Sequence, residues 1–134
     1  MTDDSGWENA PDNIEDYVGF VYMIINNISQ RYYVGQKKFW FNRKLKPLKG
    51  KKNSRHKTVE SDWKSYYGSC KELQADVKRF GKENFTRRIR YWCISKSSMN
   101  YYESKWQFEL GVLLDKLSYN GIINCRISRN MLKL

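Results

Sequence analysis

The stretch Gly19-Phe20-Val21-Tyr22-Met23-Ile24-Ile25 constrains the fold more than any other. It is a nearly continuous run of apolar, aromatic and β-branched residues, and it is too short to cross a membrane. Such a run is satisfied by a strand covered on both faces. A second run, Arg31-Tyr32-Tyr33-Val34-Gly35-Gln36, follows after Asn26-Asn27-Ile28-Ser29-Gln30. The intervening residues favour turns, so the two runs are expected to pair as an antiparallel hairpin. If the loop is symmetric about its middle, Tyr22 faces Tyr33 across the ladder and two phenols stand side by side on one sheet face.

Further elements follow downstream. Ser69 with Glu72 fits a capping box, so a helix is expected from about Cys70 to Phe80, with Gly81 at its end. Phe85 to Ile94 alternates as a third strand, placing Phe85, Ile89, Tyr91 and Cys93 on one side. Ser97 or Ser98 can cap a second helix reaching about Leu114, with an apolar stripe of Met99, Tyr102, Trp106, Leu110 and Leu113. At about 100° per residue Glu103 falls inside that stripe, where a carboxylate is costly unless something cationic meets it.

The formal net charge of +11 is localised. Between Gln36 and Lys57 stand ten bases and no acid, while 15 bases face 14 acids elsewhere. The stretch holds Lys37, Lys38, Arg43, Lys44, Lys46, Lys49, Lys51, Lys52, Arg55 and Lys57, interrupted by Pro47 and Gly50 and carrying Phe39, Trp40 and Phe41. Aromatics among bases point to nucleic-acid binding more than to a solubilising run. Residues 1–17 read as a mobile acidic tail, and residues 18–134 as one domain with a basic insertion at about 36–60. The three cysteines form no metal pair or disulfide framework and are expected as buried thiols in a reducing cytoplasm. With no secretory signal and no membrane-length run, a soluble cytoplasmic protein is expected.

Gly19-Phe20-Val21-Tyr22 followed by Tyr32-Tyr33-Val34-Gly35 resembles the paired motifs of the GIY-YIG nuclease family, over roughly residues 18–124. The eleven-residue step from Tyr22 to Tyr33 is similar to that family, as is Arg43, eight residues past Gly35. The first motif carries an extra residue, with Val21-Tyr22 where Ile-Tyr is usual. The resemblance extends to small phage-encoded homing-type enzymes. It implies that Tyr22 and Tyr33 flank the attacking water, one of them as general base, that Glu103 holds one Mg²⁺ or Mn²⁺, and that Arg43 binds the phosphate. It also implies a late asparagine, Asn120, with Asn124 as rival. A phenol near pKa 10 is a poor base at neutral pH, so Lys37 or Lys38 is expected to assist.

Together the elements and the resemblance imply a small α/β domain: a mixed, mainly antiparallel three-stranded sheet flanked by helices. The expected activity is metal-dependent hydrolysis of double-stranded DNA, by sequential nicking or as a homodimer on DNA. The competing readings are a non-catalytic nucleic-acid-binding module and an interaction protein with a basic arm. His56 stands alone, which excludes chemistry needing paired histidines, and it is expected on an exposed loop. Asp62-Trp63-Lys64 and Glu103-Ser104-Lys105 match the acidic-x-Lys fragment of another nuclease class, a pattern that arises easily in a lysine-rich chain.

Overall fold

A computed structural model describes residues 5–53 and 55–132. Strands β1 (Gly19–Asn26) and β2 (Tyr32–Lys38) form the hairpin, and β3 (Trp40–Leu45) and β4 (Arg55–Glu60) form a separate ribbon. Helix α1 (Lys71–Phe80), strand β5 (Phe85–Cys93) and helix α2 (Lys96–Leu110) complete the body. The main sheet runs β2-β1-β5, antiparallel at both pairings. This is the small, mainly antiparallel α/β domain expected, with a helix on each face.

β1 is buried on both faces, and its alternation sorts the core. Phe20, Tyr22 and Ile24 pack with Phe85 and Ile89 of β5 against Leu73 and Val77 of α1, together with Trp7, Phe39 and Trp63. Val21, Val34 and Cys93 pack on the opposite face against Met99 and Trp106 of α2. The third strand was expected to keep Phe85, Ile89, Tyr91 and Cys93 on one side. It does not, because Val21 pairs with Tyr91 while Tyr22 pairs with Ile89, leaving Arg90 as an extra residue. That bulge inverts the parity of the strand, sending Phe85 and Ile89 to α1 and Tyr91 and Cys93 to the α2 side.

The hairpin register also differs from the symmetric one. Tyr22 pairs with Gly35, and Tyr33 with Ile24. Asn26 sets this register: its N–H donates to the Arg31 carbonyl (2.8 Å), and its Oδ1 accepts from the Ile28 and Ser29 N–H groups (3.0 and 3.2 Å). Gln30 closes the four-residue loop at φ 66°. Because the displacement is two residues, side-chain faces are preserved, and Tyr22 and Tyr33 become diagonal neighbours on one face.

Three further expectations are corrected. Of the acidic tail expected over residues 1–17, residues 1–4 lie outside the described residues, and residues 5–17 are not free. The Glu8 N–H donates to the Arg87 carbonyl (2.8 Å), the Ile89 N–H donates to the Glu8 carbonyl (2.9 Å), and Trp7 is fully buried. This segment covers the free edge of β5, as Ser118 and Tyr119 cover part of β2, which answers the exposure of edge strands to unwanted pairing. The basic stretch is not irregular throughout, since it folds into the β3–β4 ribbon, with His56 exposed in β4. Helix α2 stops at Leu110 rather than Leu114. Gly111 adopts the left-handed conformation there, and Leu110 and Leu113 of the expected stripe are exposed.

The helix caps also shift. Cys70 is the N-cap of α1 and Ser95 that of α2, Ser95 pairing with Ser98 in a capping box. Cys70, Cys93 and Cys125 are all free thiols, but Cys125 is exposed, contrary to expectation. Burial raises the Cys93 thiol to about 11, so it is inert near neutral pH.

Candidate active site

β2 is an edge strand, so side chains from its two faces can meet around its rim. They do so at Gly35. A Cβ built there would lie 2.6 Å from the Tyr22 hydroxyl oxygen and 2.7 Å from Tyr33 Cε2. The missing side chain is therefore what lets both phenols occupy one place, with ring centroids 6.2 Å apart. From the other face α2 brings Glu103. A cleft of about 300 Å³ is lined by Tyr33, Ser69, Glu103, Gln107 and Asn120, among others.

Glu103 is half-buried, and its Oε1 accepts from Gln36 Nε2 (3.1 Å). The Gln36 amide is itself fixed: it donates to Asn100 Oδ1 (2.9 Å) and accepts from Lys96 Nζ (2.6 Å). Burial raises the Glu103 pKa, opposed by the Gln36 hydrogen bond and by the Lys96 charge. The carboxylate is thus held in place without a direct cation, with spare capacity to receive one.

The phenols differ in exposure. Tyr22 is 1% exposed and Tyr33 half-buried. Tyr33 Oη lies 3.5 Å from Ser69 Oγ. Burial raises both hydroxyls, Tyr22 strongly; Tyr66 and Tyr33 add to the Tyr22 shift, and Glu103 raises both. Tyr66 is a third phenol of the cluster, packed against Tyr22 with its ring edge-on at 6.0 Å. Lys37 lies over this third ring (Nζ 4.2 Å from its centroid) and pairs with Asp62 (2.6 Å). Lys37 therefore stands against Tyr66 and Asp62, not against Tyr22 or Tyr33 as the expected assistance requires.

Asn120 is buried at the same rim. Its Oδ1 accepts from the Val34 N–H (3.0 Å) and its Nδ2 donates to the Val34 carbonyl (2.8 Å), so it extends the ladder of β2 as a backbone would. It fixes the strand between Tyr33 and Gly35. Asn124, the rival, also lines the cleft but is exposed, and its carbonyl accepts from the Ser104 hydroxyl (3.2 Å).

The structure brings together Tyr22, Tyr33, Glu103 and Asn120. Arg43 does not line this cleft; it stands exposed on β3, its guanidinium 5.7 Å from the Phe41 ring. Lys37 also lies against Phe41 (4.9 Å). The ribbon register places Phe41, Arg43 and Leu45 on one face with Val59, Lys57 and Arg55. A basic face thus leads away from Lys37. Lys38 ends β2, Lys44 projects from the other ribbon face, and Lys46, Lys49, Lys51 and Lys52 are exposed in the loop at the ribbon tip.

Neither acidic-x-Lys fragment forms a centre. Lys105 pairs with Glu109, Asp62 with Lys37, and no group of three or more His, Cys, Asp or Glu side chains converges among the described residues. Sequence reasoning missed Gln36, Tyr66, Lys96, Asn100 and Gln107. Three of them carried a signal, because Lys96, Asn100 and Gln107 recur with Glu103 at helical spacing as a polar stripe on α2. Tyr66 carried none.

Residues 3–123 match the family model described as "Putative endonuclease segE, GIY-YIG domain". No curated protein and no solved structure matches the chain.

Proposed function

The chain belongs to the GIY-YIG endonuclease family, and on that premise we propose that it hydrolyses phosphodiester bonds of double-stranded DNA with one divalent cation. The observation that carries this reading is the convergence around the rim of β2 of Tyr33 and the half-buried Glu103 in one cleft, with Tyr22 packed behind Tyr33 over Gly35.

A single carboxylate suits Mg²⁺, or Mn²⁺ in its place, since Mg²⁺ keeps several waters and completes its shell with substrate phosphate oxygens. Glu103 would hold it, oriented by Gln36. Bound there, the cation supplies Lewis-acid stabilisation of the developing phosphate and leaving-group charge. Tyr33, open to the cleft, positions the attacking water, while Tyr22 packs behind it. Both phenols are protonated at neutral pH because burial raises them. Removing a proton from the Tyr33 hydroxyl is then uphill, and the hydrolysis rate climbs with pH. Lys37 and Arg43 supply positive charge for phosphates along the ribbon face.

Supercoiled plasmid incubated with the protein tests the reading. Nicking is expected with Mg²⁺ and none with EDTA, with a single-turnover rate rising by about tenfold per pH unit from pH 7 to 9. Plasmid retention without nicking at any pH would favour a non-catalytic binding module instead.

The ribbon makes a separate prediction. Each phosphate contacted releases condensed counterions, giving roughly −0.9 in log affinity against log salt per contact on duplex DNA. Replacing Lys46, Lys49, Lys51 and Lys52 by Ala should weaken duplex binding and flatten that slope by roughly two to four units, with cleavage surviving at saturating DNA and low salt. An unchanged slope would move the DNA track off the ribbon tip.

A further inference from the structure

Gln107 is 4% exposed on α2, one helical turn beyond Glu103, and lines the same cleft. Its Nε2 donates to the Val34 carbonyl (3.0 Å), which also accepts from Asn120 Nδ2 (2.8 Å). This fixes the orientation of the amide, because a flip would set Oε1 against that carbonyl oxygen. Oε1 is consequently buried and meets no donor among the described residues. An unsatisfied buried acceptor costs free energy that a hydrocarbon side chain of similar length would avoid. The cleft that it helps to line also holds Glu103, whose raised pKa reflects the same burial.

Building on the reading of Glu103 as the cation's ligand, we propose that Gln107 is a positioning residue of the cation site, its Oε1 accepting a hydrogen bond from the cation's hydration shell. Waters on a divalent cation are strong donors, and outer-shell partners of this kind orient a metal site and tune its affinity. The Val34 carbonyl makes the arrangement rigid. Through it Gln107 is tied to the backbone between the two catalytic-face positions of β2, Tyr33 and Gly35. One side chain thus couples the cation site on α2 to the phenol strand.

Mn²⁺ binding to the full chain without DNA, followed by the electron paramagnetic resonance signal of free Mn²⁺, tests this independently of cleavage. Gln107→Met removes the acceptor, together with the donor to Val34, at nearly constant volume and should weaken binding by roughly tenfold to a hundredfold. Gln107→Glu also loses that donor and sets an oxygen against the Val34 carbonyl, but it keeps an acceptor and adds negative charge beside the cation, so it should tighten binding severalfold. Opposite signs in the two variants separate the acceptor from the lost Val34 bond, and the Glu variant keeps the test decisive if the Met variant folds poorly. Glu103→Gln should remove binding altogether. Loss of binding in Glu103→Gln, with both Gln107 variants within twofold of the unsubstituted protein, would overturn the role of Gln107 alone. Undiminished Mn²⁺ binding by Glu103→Gln would overturn the cation assignment itself and this inference with it.

Discussion

Glu103→Gln is expected to reduce cleavage at saturating DNA by roughly 10³-fold or more, on the scale of losing a principal electrostatic contact of a transition state. The substitution keeps volume, and the new amide oxygen can still accept from Gln36, so the cleft keeps its shape. Duplex affinity should stay within about twofold, because the ribbon bases to which we assign duplex binding lie on a different element. Stability supplies a second readout. The folded state raises the Glu103 pKa, so the contribution of this group is fully present below its unfolded pKa and is lost as pH rises through the folded value. At neutral pH, without divalent cation, the neutral Gln variant should therefore melt at a higher temperature than the unsubstituted protein. The same shift means that protons compete for the carboxylate at higher pH than at an ordinary glutamate, so cation affinity should fall on acidification before the usual carboxylate range is reached. Unsubstituted-level turnover by Glu103→Gln, measured with both Mg²⁺ and Mn²⁺, would remove the carboxylate from the chemistry.

Arg87→Ala should be the most destabilising single change described here. Arg87 is 6% exposed, and its guanidinium donates to the carbonyls of Lys64 (2.9 Å), Tyr66 (2.9 Å) and Ser5 (3.1 Å) between the rings of Trp7 and Tyr67. Burial lowers its pKa, yet a guanidinium titrates so high that it stays charged. Three donors on one planar fork join the N-terminal segment to the loop that carries Tyr66, so truncation opens a cavity and strands three acceptors. A loss of about 3–5 kcal/mol is expected, which for a domain of this size is a fall in Tm of roughly 10–20 °C. Arg87→Lys should recover only part of it, having a single nitrogen for three carbonyls. Thermal denaturation followed by far-UV circular dichroism measures both variants; a fall of only a degree or two in Arg87→Ala would mean that solvent satisfies those carbonyls and that Trp7 and the main-chain bonds of Glu8 hold the segment without the guanidinium.

Arg87 also marks where reading the chain by itself gives out. In Thr86-Arg87-Arg88 nothing distinguishes the buried base from the exposed one, because alternation reports parity and not which face a neighbouring segment will cover. Trp7 poses the same difficulty in an acidic stretch whose composition resembles a tail. Its burial depends on the free edge of β5 needing a cover, a requirement created only once the sheet exists.

The local order of the chain decided the three strands of the main sheet and the two helices, the pairing of β1 with β2, the localisation of charge and the placing of Glu103 on the inner side of a helix. Each of these follows from periodicity, turn chemistry or composition within a window of a few turns. The register came out two residues away from the symmetric one because side-chain capping by Asn26, not loop length alone, closes the turn. Tertiary structure alone decided that Tyr66 joins the phenols, that Lys37 lies over Tyr66, that Arg43 stands on a ribbon outside the cleft, and that Gln36 meets Glu103 and Gln107 meets Val34 at the rim of β2. The physical reason is that these contacts link residues distant in sequence across two faces of one edge strand, and such contacts are fixed by sheet order, a bulge and packing, none of which is encoded in a local window.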